Sequence, residues 1–357
     1  MRSIVIVGAL SCALLGAAPA SAAPEVRSAQ FETYCSPIDP GLEELSGLTS
    51  MDGVLYAIGD SGTDHRLAVL DEQCAVARWL EVPVDPYDVE DLASHGGRLW
   101  LSDTGDNRAR RDTVAITGMD PSTGAGELHR LTYPDGPHDA ETLLIEPSGR
   151  PVIVTKELSG VSGIYVPVGD TSVDQLPSPG PTPLRKVGEL AFERTATPGG
   201  PPFVAGSILA TGGAISADGT VVAVRTYNDL YLFDVHDGDI VKALGNDPVV
   251  VAAPQQPQGE ALAFDSDGNL LVASEAVASE AVASGAVSSD AANGPLPPIQ
   301  MLRGAADLVV AERTDTQLAT ASAESESKSR WVLGAMAVAG VLVSLSVAYG
   351  VRTARRR

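Results

Sequence analysis

Carboxylates stand at matching places in four of five aligned stretches of this 357-residue chain. Counted four residues before an apolar reference (Leu48, Leu92, Leu143, Ile215 and Leu262), one column reads Glu44, Asp88, Asp139, Thr211 and Gln258. Counted two before it, a second column reads Ser46, Glu90, Glu141, Gly213 and Glu260. A third set of charges closes each stretch six or seven positions past a turn glycine: Asp60, Asp103, Lys156, Arg225 and Glu275, with Asp106 close by. Residues two apart on a strand point to one side. Carboxylates brought together raise one another's pKa, so a cluster of this size needs compensation. A bound cation is the simplest form of it, and hard oxygen donors in this number suit Ca²⁺. On this reading the metal-ligand candidates are Glu44, Asp88, Glu90, Asp139, Glu141, Glu260 and Glu275. Lys156, Arg225, Asp60, Asp103 and Asp106 are candidate ligand contacts, with the two bases gripping a phosphate or carboxylate against the metal. No catalytic residue is assigned. The alternative stays open that these acids cap turns and strands while Lys156 and Arg225 form ordinary ion pairs.

What must position these columns is a repeat. The copies are ELSGLTSMDGVLYAIGDSG, DVEDLASHGGRLWLSDTGDN, DAETLLIEPSGRPVIVTKE, TGGAISADGTVVAVRTYND and QGEALAFDSDGNLLVASE. Their reference residues are roughly 44 to 72 apart, and a period near 45 with four short strands per unit marks a β-propeller blade. Alternating apolar residues, Gly/Asp turns and almost no helical periodicity predict an all-β fold. Five four-stranded blades account for most of residues 24–312, and the long third-to-fourth interval leaves room for a sixth. In a blade the inner strand starts on the face where the second strand ends, so all three columns should share the rim of the central channel.

Several motif matches do not hold up. Gly59-Asp60-Ser61-Gly62 resembles a serine-protease nucleophile motif but lacks the Gly and Pro that follow it there. Asp60-Ser61-Gly62 and Asp103-Thr104-Gly105 mimic aspartic-protease motifs one blade apart, too close for two lobes. Asp265-Ser266-Asp267-Gly268-Asn269 starts like a calcium loop, but its Gly is misplaced and no Glu closes it, so a hairpin turn is expected. The five histidines show no zinc spacing, and only His138 lies near the rim columns.

The ends of the chain address it to a membrane. Residues 1–22 read as a cleaved secretion signal: Arg2, an apolar core from Ile4 to Ala18, then Ala20-Ser21-Ala22. Only Cys35 and Cys74 remain in the mature chain, and export favours their pairing, which would pin the N-terminal segment to the edge of the first blade. Residues 167–185 are Pro-rich and read as a surface loop, and 276–296 read as a low-complexity insertion before strand-forming sequence resumes at Ile299. Residues 313–330 look like a flexible stalk. Trp331 to Val351 is uncharged and long enough to span a bilayer, and the arginine-rich tail 352–357 stays cytoplasmic. This predicts a single-pass type I cell-membrane protein with its propeller outside. The exported part then holds 19 bases against 46 acids, a formal charge of −27. Such a surface repels nucleic acid and favours cations, although solubility alone also explains much of it.

The chain resembles a family of exported bacterial β-propeller proteins, distantly similar to the phytase-like propellers. The resemblance rests on Glu44-Leu45-Ser46-Gly47-Leu48, Tyr87-Asp88-Val89-Glu90-Asp91-Leu92-Ala93, Asp103-Thr104-Gly105-Asp106-Asn107 and the run from Leu131 to Glu141. Val154-Thr155-Lys156, Thr211-Gly212-Gly213, Arg225-Thr226-Tyr227 and Gln258-Gly259-Glu260-Ala261 extend it, so that it covers roughly residues 35 to 310. Many related propellers have Trp where this chain has Val89, a difference of packing. The resemblance implies a propeller, export and often a membrane anchor, and brings no established activity. Phytase-like propellers hydrolyse phosphate esters with clustered Ca²⁺ ions, but no catalytic assignment transfers residue by residue. The expected function is a ligand- or cation-binding module on the acidic rim, its partner an extracellular ligand or surface protein. The alternatives are a Ca²⁺-dependent phosphoesterase on the same face and a protein-interaction scaffold.

Overall fold

The computed structural model describes residues 25–60, 62–202, 204–276 and 295–311. Two short N-terminal strands come first, β1 (Val26–Arg27) and β2 (Glu32–Cys35). The first four-stranded unit is β3 (Leu45–Met51), β4 (Val54–Gly59), β5 (Arg66–Leu70) and β6 (Val76–Glu81). The second is β7 (Asp91–His95), β8 (Arg98–Asp103), β9 (Val114–Met119) and β10 (Gly126–Thr132). The third is β11 (Ala140–Ile145), β12 (Pro151–Thr155), β13 (Val161–Pro167) and β14 (Thr182–Ala191). The fourth is β15 (Ala210–Ile215), β16 (Val221–Thr226), β17 (Asp229–Asp234) and, after the short helix α1 (Ile240–Ala243), β18 (Val249–Ala252). The fifth holds β19 (Gln258–Phe264), β20 (Leu270–Glu275) and β21 (Ile299–Leu302).

Within each unit neighbouring strands pair antiparallel in chain order. The first strands β3, β7, β11, β15 and β19 lie against one another in a closed cycle, a propeller-like arrangement of five blades among the described residues. Units two and three form one continuous sheet because their outermost strands β10 and β14 pair in parallel, Leu131 opposite Thr182. Among the described residues no sixth blade fills the long interval between the third and fourth units. Its extra chain forms the connection from β14 to β15, where Thr195 and Thr197 donate to the Asp229 carboxyl at 2.6 and 2.5 Å.

The sequence folds this way because both faces of every sheet are covered by a neighbour. Alternate residues of β4 show the rule: Leu55 and Ala57 pack with Leu271 and Ala273 of the fifth unit, while Tyr56 and Ile58 pack with Leu92, Leu99 and Leu101 of the second. A separate apolar cluster fills each of the five gaps between neighbouring units. Each fully buried Leu or Ile contributes about 1.5–3 kcal/mol. The Gly96-Gly97 turn joining β7 to β8 has φ values of 60° and 75°, a left-handed pair that glycine adopts without steric penalty and that suits a two-residue hairpin.

The ring is closed by the N-terminus. Strand β2 pairs with β21 (Glu32 opposite Met301) and so completes the fifth sheet. Cys35 on β2 is bonded to Cys74 in the turn before β6, with Cα atoms 5.6 Å apart. The expected pairing is present, but its position differs from expectation: Cys35 belongs to the last blade, so the bond ties the last blade to the first across the closure. Strand β1 adds itself in parallel to β18, outside the fourth blade.

One loop expectation changes in detail. The Pro-rich stretch is a loop only from 168 to 181, since β14 begins at Thr182, and its Val173 and Leu176 are buried against the third blade. Strand sequence resumes at Ile299 as expected, while most of the 276–296 insertion lies outside the described residues. So do the signal, the stalk, the 331–351 segment and the tail. Among the described residues, no helix is long and apolar enough to cross a membrane.

Candidate functional site

The second acidic column is set by β-bulges. In β3, β11 and β15 the ladder skips Ser46, Glu141 and Thr211, and in β19 it skips Glu260 with Ala261. A bulged residue leaves the pleat, and its side chain can be re-aimed. Glu90 takes the same place just ahead of β7, where its N–H donates to Ser102 O at 2.9 Å. The bulge column is therefore Ser46, Glu90, Glu141, Thr211 and Glu260. In the fourth blade this is a correction: Thr211, not Gly213, stands beside Glu90 and Glu141, because the reference residue there is Gly213 rather than Ile215.

The same register corrects the closing column. The residue following the ladder partner of each bulge is Asp60, Lys156, Tyr227 and Glu275 in the first, third, fourth and fifth blades. Tyr227 replaces Arg225, two residues earlier. In the second blade Thr104 is the counterpart and Asp103 still lies within β8. The rim is consequently less charged than the sequence columns suggest, and its charge is concentrated on one side.

Two groups of acids bring carboxylate oxygens within 4.8 Å of one another: Asp60, Asp88 and Glu90, and Glu90, Asp139 and Glu141. Glu90 and Glu141 are only 3% and 2% exposed. Burial first, then the charges of Glu141 and Asp60, holds the Glu90 carboxyl well above the usual range. Asp88 is pushed up to about 8, by burial and then by its hydrogen bond with Asp60. Burial also raises Asp139 and, in the first blade, Glu44. Gly105 is what lets the acids approach: a Cβ there would overlap Glu90 Oε1 and come within 2.5 Å of Asp88 Oδ2.

Lys156 reaches into this group. Its Nζ donates to Glu141 Oε1 and, at 2.9 Å, to Tyr227 Oη, whose hydroxyl in turn donates to Glu260 Oε1 at 3.3 Å. Burial opposes the ammonium, yet the charges of Glu141 and Glu260 outweigh it and keep Lys156 protonated. Glu260 and Glu275 hydrogen-bond to each other, which requires one shared proton, and Gln258 Nε2 donates to Glu275 Oε2. One acceptor is left over: Glu141 Oε2 is buried with no hydrogen-bond partner. The surroundings of the Glu90 carboxyl are mainly other acids.

The remaining candidates have structural duties. Arg225 is fully buried, and its guanidinium donates to the carbonyls of Thr226, Ala261 and Ala273 and to Gln256 Oε1, at 3.0–3.3 Å. It stitches the fourth blade to the fifth and does not face the acidic group as a ligand contact would. Burial lowers its pKa to about 9, against the pull of Glu260. Asp103 accepts from Asp88 N at 3.1 Å and pairs with Arg111 at 2.8 Å. Asp106 accepts from the N–H groups of Arg110 and Arg111 at 2.6 and 2.7 Å, folding the loop after β8. These acids follow the capping alternative. Asp91, which the columns pass over, does the same inside the ring. Its carboxyl accepts from Leu92 and Leu143 N–H groups at 2.8 Å and from Gly213, joining the inner strands of three blades.

Sequence reasoning missed Tyr227 and Arg111. Tyr227 sits in the Arg225-Thr226-Tyr227 motif, but no charge marks it. Arg111 lies over the exposed Tyr87 ring at 4.7 Å and braces Gly105 O at 2.7 Å, beyond any repeat position. A cavity of about 630 Å³ opens among the inner-strand ends and turns, lined by Thr49, Ser94, Ile145, Ala214 and Phe264. It belongs to the opposite mouth of the channel, away from the carboxylates.

No protein-family model matches the chain. No curated protein matches it either. Similar solved structures include a glutaminyl cyclase from Myxococcus xanthus (12% identity, TM-score 0.42, spanning 70% of this chain and 93% of that one). A luciferin-regenerating enzyme (14%, 0.40, 72% and 77%) and a gluconolactonase from Xanthomonas campestris (16%, 0.37, 70% and 74%) are others. Identity this low says nothing about the chemistry of the acidic rim.

Proposed function

We propose that this chain is an exported, membrane-anchored β-propeller whose acidic rim binds a divalent cation, Ca²⁺ first among the candidates, as a ligand-binding module. The observation that carries this reading is Glu141 Oε2, buried with no hydrogen-bond partner beside the buried Glu90 carboxyl and Asp139. A buried, unpaired charged acceptor costs several kcal/mol. A hard cation satisfies such oxygens, and their mutual spacing matches the reach of one coordination sphere.

The anchor would be the 331–351 segment, with the propeller outside the cell and its partner an extracellular ligand or surface protein. The phosphoesterase alternative draws less support. It needs bases free to grip a phosphate beside the metal, whereas Lys156 contacts Glu141 and Tyr227, and Arg225 holds backbone carbonyls. The test is scanning calorimetry of the full-length protein in detergent, in EDTA and then with Ca²⁺. A rise in Tm with calcium, without turnover of a chromogenic phosphate ester, fits the binding module. Turnover that requires calcium would favour the enzyme, and an unchanged Tm would remove the cation.

A further inference from the structure

Resting on the reading of the chain as an anchored module with an outside partner, we infer that the loops of the rim face dock a protein segment carrying basic and large apolar side chains together. Each first strand begins, and each second strand ends, on this face: Leu45 lies opposite Gly59 and Gln258 opposite Glu275. The loops before the first strands, and those between second and third strands, therefore share it. Among the described residues the most exposed large apolar side chains are Leu158 (87%), Ile38 (80%) and Tyr87 (70%), and all three sit in those loops. Val84 and Val204 join them, and Val161 opens β13 on the same side. Of the rest, Val168 and Val310 belong to the opposite face and Tyr34 to the edge strand β2. Single exposed apolar groups need no explanation, but their concentration on one face marks an interaction site.

Carboxylates stand beside these tips. Asp39 follows Ile38, Asp85 lies between Val84 and Tyr87, and Glu157 precedes Leu158. The exposed bases of the face, Arg108, Arg110 and Arg194, are next to none of them. A tip of this kind offers apolar contact area and a negative charge in one place. Its complement is a large apolar side chain beside a Lys or Arg. A second copy of this chain would bring like charges together and is the wrong occupant.

The chain leaves by the other face. Strand β21 ends at Leu302, opposite Leu270 where β20 begins. Beyond it Gly304 N donates to Asn269 Oδ1 at 2.9 Å, and Ala306 N to Gly268 O at 3.1 Å. Asp265 and Ser266 of the same turn line the cavity of the opposite mouth. An anchor at 331–351 would therefore hold that mouth toward the bilayer and turn the apolar tips away from it. The carboxylates beside the tips also oppose contact with anionic headgroups. Protein, not lipid, is the partner this arrangement fits.

The test selects random phage-displayed peptides against the full-length protein in zwitterionic nanodiscs, after depletion on empty nanodiscs. The expected pool pairs Arg or Lys with Leu, Ile, Phe or Trp. Synthetic peptides from it should lose affinity about tenfold or more in Ile38→Ser and in Leu158→Ser, since each removes a large apolar side chain from the contact. Asp85→Lys should weaken them as much, and Val168→Ser on the opposite face should change nothing. All four positions are solvent-facing to a third or more, and circular dichroism checks each fold. No enrichment, a pool without basic residues, or binding indifferent to the rim-face substitutions overturns the inference. So does flotation of the nanodisc-held protein with phosphatidylcholine vesicles that Leu158→Ser abolishes, which would assign the tips to lipid. Running the selection in EDTA and in Ca²⁺ keeps this inference apart from the cation. With no peptide selected, a calcium-dependent rise in Tm still supports the cation; with peptides selected and no such rise, the cation alone falls. An impermeant maleimide should label Leu158→Cys on intact cells, and no labelling removes the outside placement and the outside partner with it.

Discussion

Replacing Lys156 by Met should destabilise the metal-free protein and tighten its grip on calcium, two effects of opposite sign from one substitution. The Lys156 side chain is 14% exposed and its Glu141 partner 3%. Removing one member of a buried pair costs about 3–5 kcal/mol, because the other charge stays behind. For a domain of this size each kcal/mol moves Tm by about 2–4 °C, so the fall in EDTA is roughly 10 °C. The calcium term follows from Coulomb's law. Two unit charges 4 Å apart at an effective dielectric near 20 interact by about 4 kcal/mol, and a divalent ion at twice that distance feels the same. Even a third of that repulsion, once removed, tightens Kd about tenfold. Titration calorimetry of wild type, Lys156→Met and Lys156→Arg measures it, with the arginine variant retaining the charge. The reasoning fails if Lys156→Met binds Ca²⁺ no better than wild type, or if its metal-free Tm is unchanged.

Asp64, Asp91 and Asp88 titrate in the folded chain at about 6, about 7 and about 8, each above the usual 3.8. The folded state thus holds protons the unfolded chain has already lost, so stability in EDTA should fall as pH rises from about 4 to 8. Urea midpoints at pH 5 and pH 8 should reverse their order when Ca²⁺ is added, because protons then compete with the cation. Cys35→Ser with Cys74→Ser opens a link between residues 39 apart. Chain entropy puts that at about 4 kcal/mol, a fall in Tm of roughly 8–16 °C by calorimetry, with Ca²⁺ affinity retained. Asp91→Asn must aim an NH₂ at Leu92 or Leu143 N–H, since each bonds a different carboxyl oxygen. The expected loss is about 2–4 kcal/mol in a denaturant titration. Gly105→Ala should displace Glu90 and Asp88 and weaken calcium at least tenfold in titration calorimetry, with circular dichroism unchanged.

The architecture was legible because apolar alternation and turn chemistry repeat together. All five reference residues fall in inner strands, and the Gly96-Gly97 turn of the second repeat joins β7 to β8. The disulfide was legible from cysteine count, yet the place of Cys35 was not. A four-residue strand that crosses the whole chain to finish the last sheet carries no local mark of its partner. The buried Val173 and Leu176 escaped for a related reason, since Pro and Gly on either side read as solvent. Glu90 and Glu141 were found together with Asp60, Asp88 and Asp139, because in the first three blades the apolar reference residue follows the bulge by two positions.

In the fourth blade the bulge at Thr211 again precedes the turn at Gly219, but the apolar reference was set at Ile215 instead of Gly213, two residues late, and there the reading failed. A slip of two preserves which side of the strand each residue faces, so alternation cannot detect it. Both Arg225 and Tyr227 satisfy the pattern, and charge favoured the wrong one. What separates them is the ladder: Arg225 lies opposite Gly212 inside the sheet, and Tyr227 follows its end. The residue that enters the sheet must find partners there, and Arg225 finds three carbonyls and Gln256. The residue beyond the sheet meets the rim, and Tyr227 meets Lys156 and Glu260. The fourth blade therefore gives the rim a neutral hydroxyl. With Arg111 taken up by Asp103, the rim acids of the first three blades outnumber the Lys156 ammonium they face, and that imbalance is the physical ground for a cation.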